Sequence, residues 1–227
     1  MSNAVGGDGG KGPCLSDPRR PNLTIISHPV VQEQLTVLRD RHTGVEKFRR
    51  LIGRIARLMA FEITRDYPTR AKTVQTPMGP CQGRELARGL TLVPILRAGL
   101  GMVEGILELL PSAHVGHVGI YRDETTLKPI TYYKKLPPDI AQTDVIVIDP
   151  MLATAGSLNA AIDVLKDSGA RRIKVLCLVA APEGIDALCV RHPDVSIYTA
   201  AVDERLNEHG YIVPGLGDAG DRMFGTS

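Results

Sequence analysis

Three short segments of the sequence place charged or hydroxyl side chains and glycines directly after apolar runs. Asp149 ends one such run and is followed by the small, hydroxyl-rich turn 150–157. Arg97 ends another run and precedes a glycine-rich stretch, and the segment 211–222 carries further glycines and aspartates. Arginine, hydroxyl groups and free backbone N–H groups are donors that proteins use to bind phosphate. These segments therefore predict a site for a phosphorylated ligand.

The turn after Asp149 has the composition of a phosphate-binding helix start. Thr154 and Ser157 offer hydroxyl groups, while Ala155 and Gly156 let an anion approach the backbone. Free N–H groups at a helix start attract anions, and the helix dipole adds about 0.3 to 1 kcal/mol. The alternative is that a hydroxyl merely caps the helix and that Asp149 merely ends the strand. A P-loop nucleotide hydrolase is disfavoured, because no Gly-Lys pair followed by Ser or Thr has the required upstream glycine.

Arg97 stands where a predicted strand leads into a glycine-rich helix start. A guanidinium group in this position can bind a diphosphate with two parallel hydrogen bonds. Gly99, Gly101 and Gly105 miss the spacing of a dinucleotide-binding loop by one residue, so we reject a Rossmann site here. A surface arginine at a strand end is the alternative.

The segment 211–222 contains Gly215, Gly217 and Gly220, which match the pattern G-x-G-x-x-G. Only seven residues follow Gly220, which leaves no room for the helix and second strand of a dinucleotide unit. A glycine-rich segment can instead expose its N–H and C=O groups to the edge of a small planar base. An ordinary surface loop is the alternative.

The elements that must position these segments alternate between short apolar runs and helical stretches from residue 90 onward. This alternation predicts an α/β fold with a mostly parallel sheet flanked by helices. Ligands of such sheets bind beyond the carboxyl ends of the strands, where Arg97 and Asp149 are expected. Upstream, apolar residues recur every three or four positions from Val45 to Met59 and predict a long amphipathic helix. We expect strands at 90–96, 115–121, 145–148, 173–180 and 195–202, and helices at 100–110, 157–166 and 185–191.

The chain divides into a short tail and one domain. Glycine and proline dominate the first twenty residues, so we expect a disordered tail at 1–21 and a single domain at 22–227. The polar segment at about 122–138 predicts a protruding arm that closes over the ligand as a lid, with a dimer contact as the alternative. A C-terminal base-binding loop is expected at about 203–227.

The composition limits the partners of the protein. With 27 basic against 25 acidic side chains and a net charge of +2, no charge excess favours nucleic acid, and we expect no nucleic-acid partner. Aromatic residues make up 4% of the chain and tryptophan is absent, which argues against a stacking platform for single strands. The four cysteines lie far apart and are expected to be reduced thiols, as in a cytoplasmic protein. No apolar run suits a membrane helix or a signal peptide, so no membrane association is expected.

Together, the three segments resemble the uracil phosphoribosyltransferases, a family with the type I phosphoribosyltransferase fold. The most specific stretches are 94–102, 149–157 and 210–222, and the resemblance extends from His28 to the C-terminus. It implies transfer of the phosphoribosyl group of 5-phosphoribosyl 1-diphosphate (PRPP) to N1 of uracil, giving UMP and diphosphate in pyrimidine salvage. It also implies Mg²⁺ as cofactor, a homodimer or homotetramer, GTP as an effector and a cytoplasmic location.

The resemblance also implies roles for individual residues. It implies catalytic roles for Arg97, Asp149 and Asp218, and no directly assigned metal ligand, because Mg²⁺ is expected to bind mainly through the diphosphate and near Asp218. The residues implied to bind PRPP are Arg97, Arg122, Asp149, Pro150, Met151, Leu152, Ala153, Thr154, Ala155, Gly156, Ser157 and Asp218. The residues implied to bind uracil, largely through backbone groups, are Ile212, Gly217, Asp218 and Ala219.

In the implied reaction, uracil N1 displaces diphosphate from C1 of the sugar with inversion. Arg97, Arg122 and Mg²⁺ stabilise the charge that grows on the leaving diphosphate. Two positions differ from many members of the wider fold family: Pro150 replaces a second acidic residue, as in this family itself, and Ala155 replaces a glycine. Because a methyl group costs energy where φ is positive, we expect PRPP affinity to be retained but altered.

Two other functions stay open at this point. An RNA-binding regulator of pyrimidine genes on the same fold needs a concentrated basic face, which the balanced charge argues against. A transferase for another nucleobase, such as hypoxanthine, would differ only in the C-terminal loop. A site that hydrogen-bonds the donors and acceptors along the edge of one base can discriminate against a wrong base by roughly 10⁴-fold in kcat/KM. Competition among bases therefore separates these hypotheses.

Overall fold

The structure, a computed structural model, describes residues 14–17, 20–122 and 129–226. Its helices are α1 (Pro29–Arg39), α2 (Val45–Ile63), α3 (Leu100–Leu109), α4 (Gly156–Asp167), α5 (Pro182–Arg191) and α6 (Ala219–Phe224), with a single 3₁₀ turn at Ile140–Gln142. Its strands are β1 (Cys14–Asp17), β2 (Arg20–Ile26), β3 (Thr69–Thr76), β4 (Gly79–Leu86), β5 (Leu90–Pro94), β6 (His114–Val115), β7 (His117–Arg122), β8 (Pro129–Lys135), β9 (Asp144–Ile148), β10 (Met151–Leu152), β11 (Ile173–Ala180), β12 (Ser196–Val202), β13 (Arg205–Leu206) and β14 (Ile212–Val213).

Eight strands form the central sheet, in the order β1-β2-β12-β11-β9-β5-β6, with β10 paired beside β11. The β1–β2 pair is antiparallel, and the other pairs of this sheet are parallel. Strands β5 and β9 are buried along their whole length, which explains why they read as continuous apolar runs. The expected α/β fold with a mostly parallel sheet is confirmed.

Two helical layers cover the sheet, one on each face. Helices α1, α2, α3 and α6 share one apolar core with the sheet, and α4 and α5 share the other. Successive residues of a central strand point to opposite layers, as the pleat requires. In β9, Ile146 and Ile148 face the α2 side, whereas Val145 and Val147 face the α4 side.

Helix α2 buries the apolar stripe that its sequence predicts, and Phe48, Ile52 and Ile55 are fully buried. It also packs very closely against α3, because the two helices meet at glycines. A Cβ atom added at Gly105 would overlap the carbonyl group of Gly53. This contact fixes α3, the helix that follows the Arg97 loop.

Two hairpins extend from the sheet. Strands β3 and β4 pair antiparallel and are almost entirely exposed. Strands β7 and β8 form the second hairpin, which overlaps the arm expected at 122–138 and packs against α4. Residues 123–128 of that arm lie outside the described residues.

The disordered tail expected at 1–21 is wrong for part of that segment. Cys14–Asp17 form β1, which pairs with β2, and β2 itself begins at Arg20. The open edge of β2 supplies backbone partners to a strand too short to be recognised by its side-chain pattern. Residues 1–13 and 18–19 lie outside the described part of the chain.

The strand expected at 115–121 is divided at Gly116 into β6 and β7. β6 stays in the central sheet, while β7 pairs with β8 and touches the sheet through a bridge between Ile95 and Val118. A Cβ atom at Gly116 would lie 2.8 Å from the Leu136 side chain, so glycine lets the chain pass this close. The apolar residues Val115, Val118 and Ile120, which lie on both sides of Gly116, concealed the break.

Three cysteines in the described part of the chain differ in burial. Cys81, Cys177 and Cys189 are free thiols, and Cys177 lies fully buried in β11. Burial raises the pKa of Cys177 to about 12, so this thiol stays protonated and unreactive.

Among the described residues, no helix has the length and apolarity needed to cross a membrane.

Candidate active site

The loop after β5 and the turn after β9 lie side by side. Strands β5 and β9 are parallel neighbours, and Ile95 N donates to Ile148 O over 2.8 Å just beyond their paired ends. Gly99 fits into this junction without a side chain, because a Cβ atom there would lie 2.5 Å from Ile148 O. Arg97 and Asp149 therefore leave the sheet at the same edge.

The C-terminal segment closes a third side of this site. Arg97 Nη2 lies 3.5 Å from Asp221 Oδ1, and the guanidinium group stacks 5.8 Å from the centre of the Phe224 ring. A Cβ atom added at Gly210 would lie 3.7 Å from Thr154 Cγ2, so the same segment also reaches the turn after Asp149. The three segments singled out in the sequence thus converge on one edge of the sheet.

The turn after Asp149 ends in a helix start with no side-chain cap. Ala155 is the N-cap of α4, with φ 63° and ψ 3°, and no side chain caps the helix. Thr154 Oγ1 makes only a long contact of 3.5 Å with Gly156 N. Apart from this contact no side-chain cap is present at the start of α4 in the described residues, so first-turn N–H groups are available to an anion.

A concave surface with a volume of about 90 Å³ lies in front of this helix start. Met151 and Ala153 to Ser157 contribute to it, as does Asp149. Pro150 and Leu152 are buried below it, where the Pro150 carbonyl accepts from Leu178 N at 3.0 Å. These two residues support the turn through β11. The full lining is Asp149, Met151, Ala153, Thr154, Ala155, Gly156, Ser157 and Leu158.

Asp149 carries the carboxyl group nearest to this surface. Its Oδ1 accepts from Met151 N at 3.2 Å, a contact that favours the charged form. Burial outweighs that contact and raises the Asp149 pKa to about 7. A carboxyl group that titrates near neutral pH in a cleft is typical of functional sites.

The four residues predicted to bind uracil lie in the C-terminal segment and have different surroundings. Ile212 and Ala219 are buried against the α2 side of the core. Gly217 has φ +72°, a conformation that glycine adopts without strain. Asp218 is the N-cap of α6, and its Oδ1 accepts from Asp221 N at 2.9 Å. The loop expected here therefore contains a short helix, which the glycine content of 215–220 concealed.

Arg122 is the one predicted site residue whose side chain falls outside the described structure. Its backbone ends β7, the first strand of the arm hairpin. Lys134, on the partner strand, donates to Ser168 Oγ over 3.4 Å.

Three residues near the site were missed in the sequence. Arg39 and Asp203 form a bidentate ion pair that contacts Gly215. Arg222 donates to Leu216 O over 2.7 Å and lies 4.5 Å from the centre of the Phe48 ring. A sequence signal existed for Asp203, because it follows the apolar run of β12 as Asp149 follows that of β9.

The carboxylates present suit a magnesium ion that arrives with its substrate. In the part of the chain that the structure describes, no three His, Cys, Asp or Glu side chains converge as a metal cage. Mg²⁺ commonly keeps several waters and binds one or two carboxylates together with substrate phosphates. The single carboxylate of Asp218 fits that mode of binding.

Comparisons with known proteins agree with this geometry. The sequence profile of the uracil phosphoribosyltransferase family matches residues 25–226. A uracil phosphoribosyltransferase of Geobacillus kaustophilus is 58% identical over 203 residues, covering 89% of this chain and 97% of the relative. One of Symbiobacterium thermophilum is 58% identical over 205 residues, covering 90% of this chain and 98% of the relative.

Solved structures give the same fold. A protein of Aquifex aeolicus superimposes with a TM-score of 0.86 at 37% identity, covering 90% of this chain and 99% of that chain. An adenine phosphoribosyltransferase of Trypanosoma brucei shares the fold at a TM-score of 0.53 and 15% identity, covering 84% of this chain and 87% of that one. The chain belongs to the uracil phosphoribosyltransferase family.

Proposed function

We propose that this protein transfers the phosphoribosyl group of PRPP to N1 of uracil and so forms UMP and diphosphate. The observation that carries the proposal is the convergence of the Arg97 loop, the Asp149 turn and the C-terminal segment at one edge of the sheet. Family membership supplies the identity of the base and of the sugar phosphate.

The 5′-phosphate of PRPP binds at the start of α4. The uncapped N–H groups there, together with the hydroxyl groups of Thr154 and Ser157, provide the donors that a phosphate dianion requires. Asp149, ionised when its ligand is bound, accepts hydrogen bonds from the ribose hydroxyl groups. This places C1 of the sugar beyond the carboxyl end of β9, facing the C-terminal segment.

Arg97 and Arg122 bind the diphosphate. Uracil N1 attacks C1 as the C1–O bond to diphosphate breaks, and the N1 proton is released. Negative charge grows on the leaving group during this step, so donors aimed at the diphosphate lower the barrier more than they tighten ground-state binding. The Arg97 guanidinium suits this role because most of its side chain is exposed on the site.

Uracil binds along the C-terminal segment through backbone groups of Ile212, Gly217, Asp218 and Ala219. Backbone N–H and C=O groups can match both the carbonyl and the N–H groups of the uracil edge, and a base with another pattern leaves them unpaired. Asp218 would help to hold Mg²⁺ that arrives with the diphosphate, and the ion would supply positive charge to the leaving group.

Further proposals concern closure, assembly, regulation and location. The β7–β8 hairpin acts as a lid that excludes water from the bound diphosphate. The protein forms a homodimer or homotetramer, an assembly that would cover exposed apolar side chains such as Met78, which is 96% exposed. GTP as an effector and a cytoplasmic location are carried by the family relationship alone.

One experiment tests the proposed reaction. The purified protein is incubated with PRPP, Mg²⁺ and each of uracil, cytosine, hypoxanthine, adenine and orotate, and the nucleoside monophosphate formed is measured. UMP from uracil alone is the expected result. Product from another base would reassign the C-terminal loop, and no product with any base, with or without GTP, would favour an RNA-binding role.

A further inference from the structure

One largely buried ion pair contacts the C-terminal loop at Gly215. Arg39, the last residue of α1, binds Asp203, which follows β12. The pair is bidentate, with Arg39 Nη1 2.8 Å from Asp203 Oδ2 and Arg39 Nη2 2.6 Å from Asp203 Oδ1. The Asp203 side chain is only 5% exposed. A buried pair of this geometry is costly to break on one side, because the remaining charge loses its partner.

Both members of the pair also bind the backbone of Gly215. Asp203 Oδ2 accepts from Gly215 N at 2.8 Å, and Arg39 Nη1 donates to Gly215 O at 2.9 Å. Gly215 has φ +63°, and a Cβ atom there would overlap the carbonyl group of Ile212. The donor and the acceptor of one residue are therefore fixed by two side chains from distant parts of the chain.

Gly215 lies between Ile212 and Gly217, two of the residues assigned to uracil. A base that is read by backbone groups depends on the placement of the main chain, because no side-chain rotamer can correct an error. Displacing reacting groups by about 1 Å can cost 100-fold in rate. The position of Gly215 therefore sets the geometry of the base site.

We infer that Arg39 and Asp203 are positioning residues for uracil, acting through Gly215 without touching the base. The inference rests on the proposed function, which assigns the base to this loop. If the pair positions the base, loosening it should raise the KM for uracil and leave the KM for PRPP nearly unchanged. A pair that only stabilises the fold would not separate the two KM values.

The test compares Asp203→Asn with a matched control, Asp144→Asn. Both aspartates are largely buried at the ends of strands, and both accept from arginine, but Asp144 lies at the start of β9, at the edge opposite to the site. In Asp203→Asn an NH₂ group replaces one acceptor and faces donors from Arg39 and Gly215. Arg39→Lys keeps the positive charge but cannot form the bidentate contact of a guanidinium group. It is a milder variant should Asp203→Asn fail to fold.

Steady-state kinetics and hydrogen exchange are measured on the three variants and the parent. For Asp203→Asn we expect the KM for uracil to rise by about 10- to 100-fold while the KM for PRPP changes little. Arg39→Lys should raise the KM for uracil over the KM for PRPP to a smaller degree. Asp144→Asn should show no such difference between the two KM values. The amides of 215–219 should exchange faster in Asp203→Asn and Arg39→Lys only.

The outcomes separate this inference from the proposed function. If the parent makes UMP but Asp203→Asn and Arg39→Lys leave the KM for uracil unchanged, or raise the KM for uracil and the KM for PRPP equally, the pair only stabilises the fold. If the parent makes no UMP, the proposed function itself fails. Faster exchange at 215–219 without a change in the KM for uracil would also overturn the positioning role.

Discussion

Arg97 and Asp221 face each other across 3.5 Å and so connect the loop after β5 to α6. The Arg97 side chain is 63% exposed, and exposed ion pairs contribute about 0 to 1 kcal/mol. The guanidinium group can therefore leave Asp221 for a diphosphate at small cost. Asp221 holds the arginine near the site before the substrate arrives.

Replacing Arg97 tests the role proposed for it. Arg97→Ala should lower kcat for UMP formation by about 100-fold or more, since a donor aimed at the leaving group is lost. Arg171→Ala is the control, because this exposed arginine precedes β11 at the opposite edge of the sheet. The assigned role is wrong if turnover of Arg97→Ala stays within a few-fold of the parent, as measured by initial rates at saturating uracil and PRPP.

The Asp149 carboxyl group should make PRPP binding depend on pH. Its pKa of about 7 in the free protein lies above its ordinary value of 3.8, so the folded protein keeps a proton that the unfolded chain has lost in this range. Through this group, the stability of the free protein falls as pH rises from the lower value to the upper one.

Because the proposed role of the ionised Asp149 carboxylate is to accept hydrogen bonds from the ribose, the KM for PRPP should fall as pH rises towards and past 7. Asp149→Asn removes the titrating group, and the ionisation of PRPP itself is common to both proteins. The difference between the two pH profiles therefore isolates Asp149. Parallel profiles would exclude a titrating Asp149 from PRPP binding.

Gly99 is expected to tolerate no side chain. In Gly99→Ala the added methyl group would press on the carbonyl groups of Ile148, in β9, and of Ile95, which directly follows β5. We expect the free energy of unfolding to drop by about 1 to 3 kcal/mol, with a loss of turnover as the Arg97 loop shifts. Gly83→Ala, in the exposed β3–β4 hairpin, where an added Cβ atom would lie 3.5 Å from Lys72 O, should have little effect when both variants are unfolded with urea.

Ala155 is the non-glycine residue with positive φ in the described part of the chain, which agrees with the expectation of a methyl group under strain there. Ala155→Gly relieves a backbone cost of about 1 kcal/mol but loses a buried methyl group, so stability should change little. Ala155→Val should lower the free energy of unfolding by about 2 kcal/mol and raise the KM for PRPP, because a β-branched residue resists this conformation. Equal KM values in the two variants would mean that the turn does not bind PRPP.

The sequence revealed those parts of the site whose signal is local. Strands β5 and β9 are buried on both faces, so each appears as an apolar run that ends in a charged residue, Arg97 or Asp149. The parallel fold then brings both ends to one edge. Helix α2 was predictable for the same reason, because its buried stripe follows the helical period.

The parts that escaped prediction depend on contacts between distant residues or on backbone pairing. Arg39 and Asp203 are separated by 164 positions, and no local pattern joins them. Hairpin β3–β4 is exposed, so its strands lack the apolar alternation that marks a strand. β1 exists because β2 offers a free edge, which its own four residues do not disclose.

Attachment of the C-terminal loop to α1 and α2 has a consequence for how the protein is made. Arg39 leaves the ribosome long before Gly215, which lies 176 positions later. The backbone that Arg39 and Asp203 hold is thus among the last parts of the chain to be made. A chain released before residue 215 would leave both side chains without their shared backbone partner.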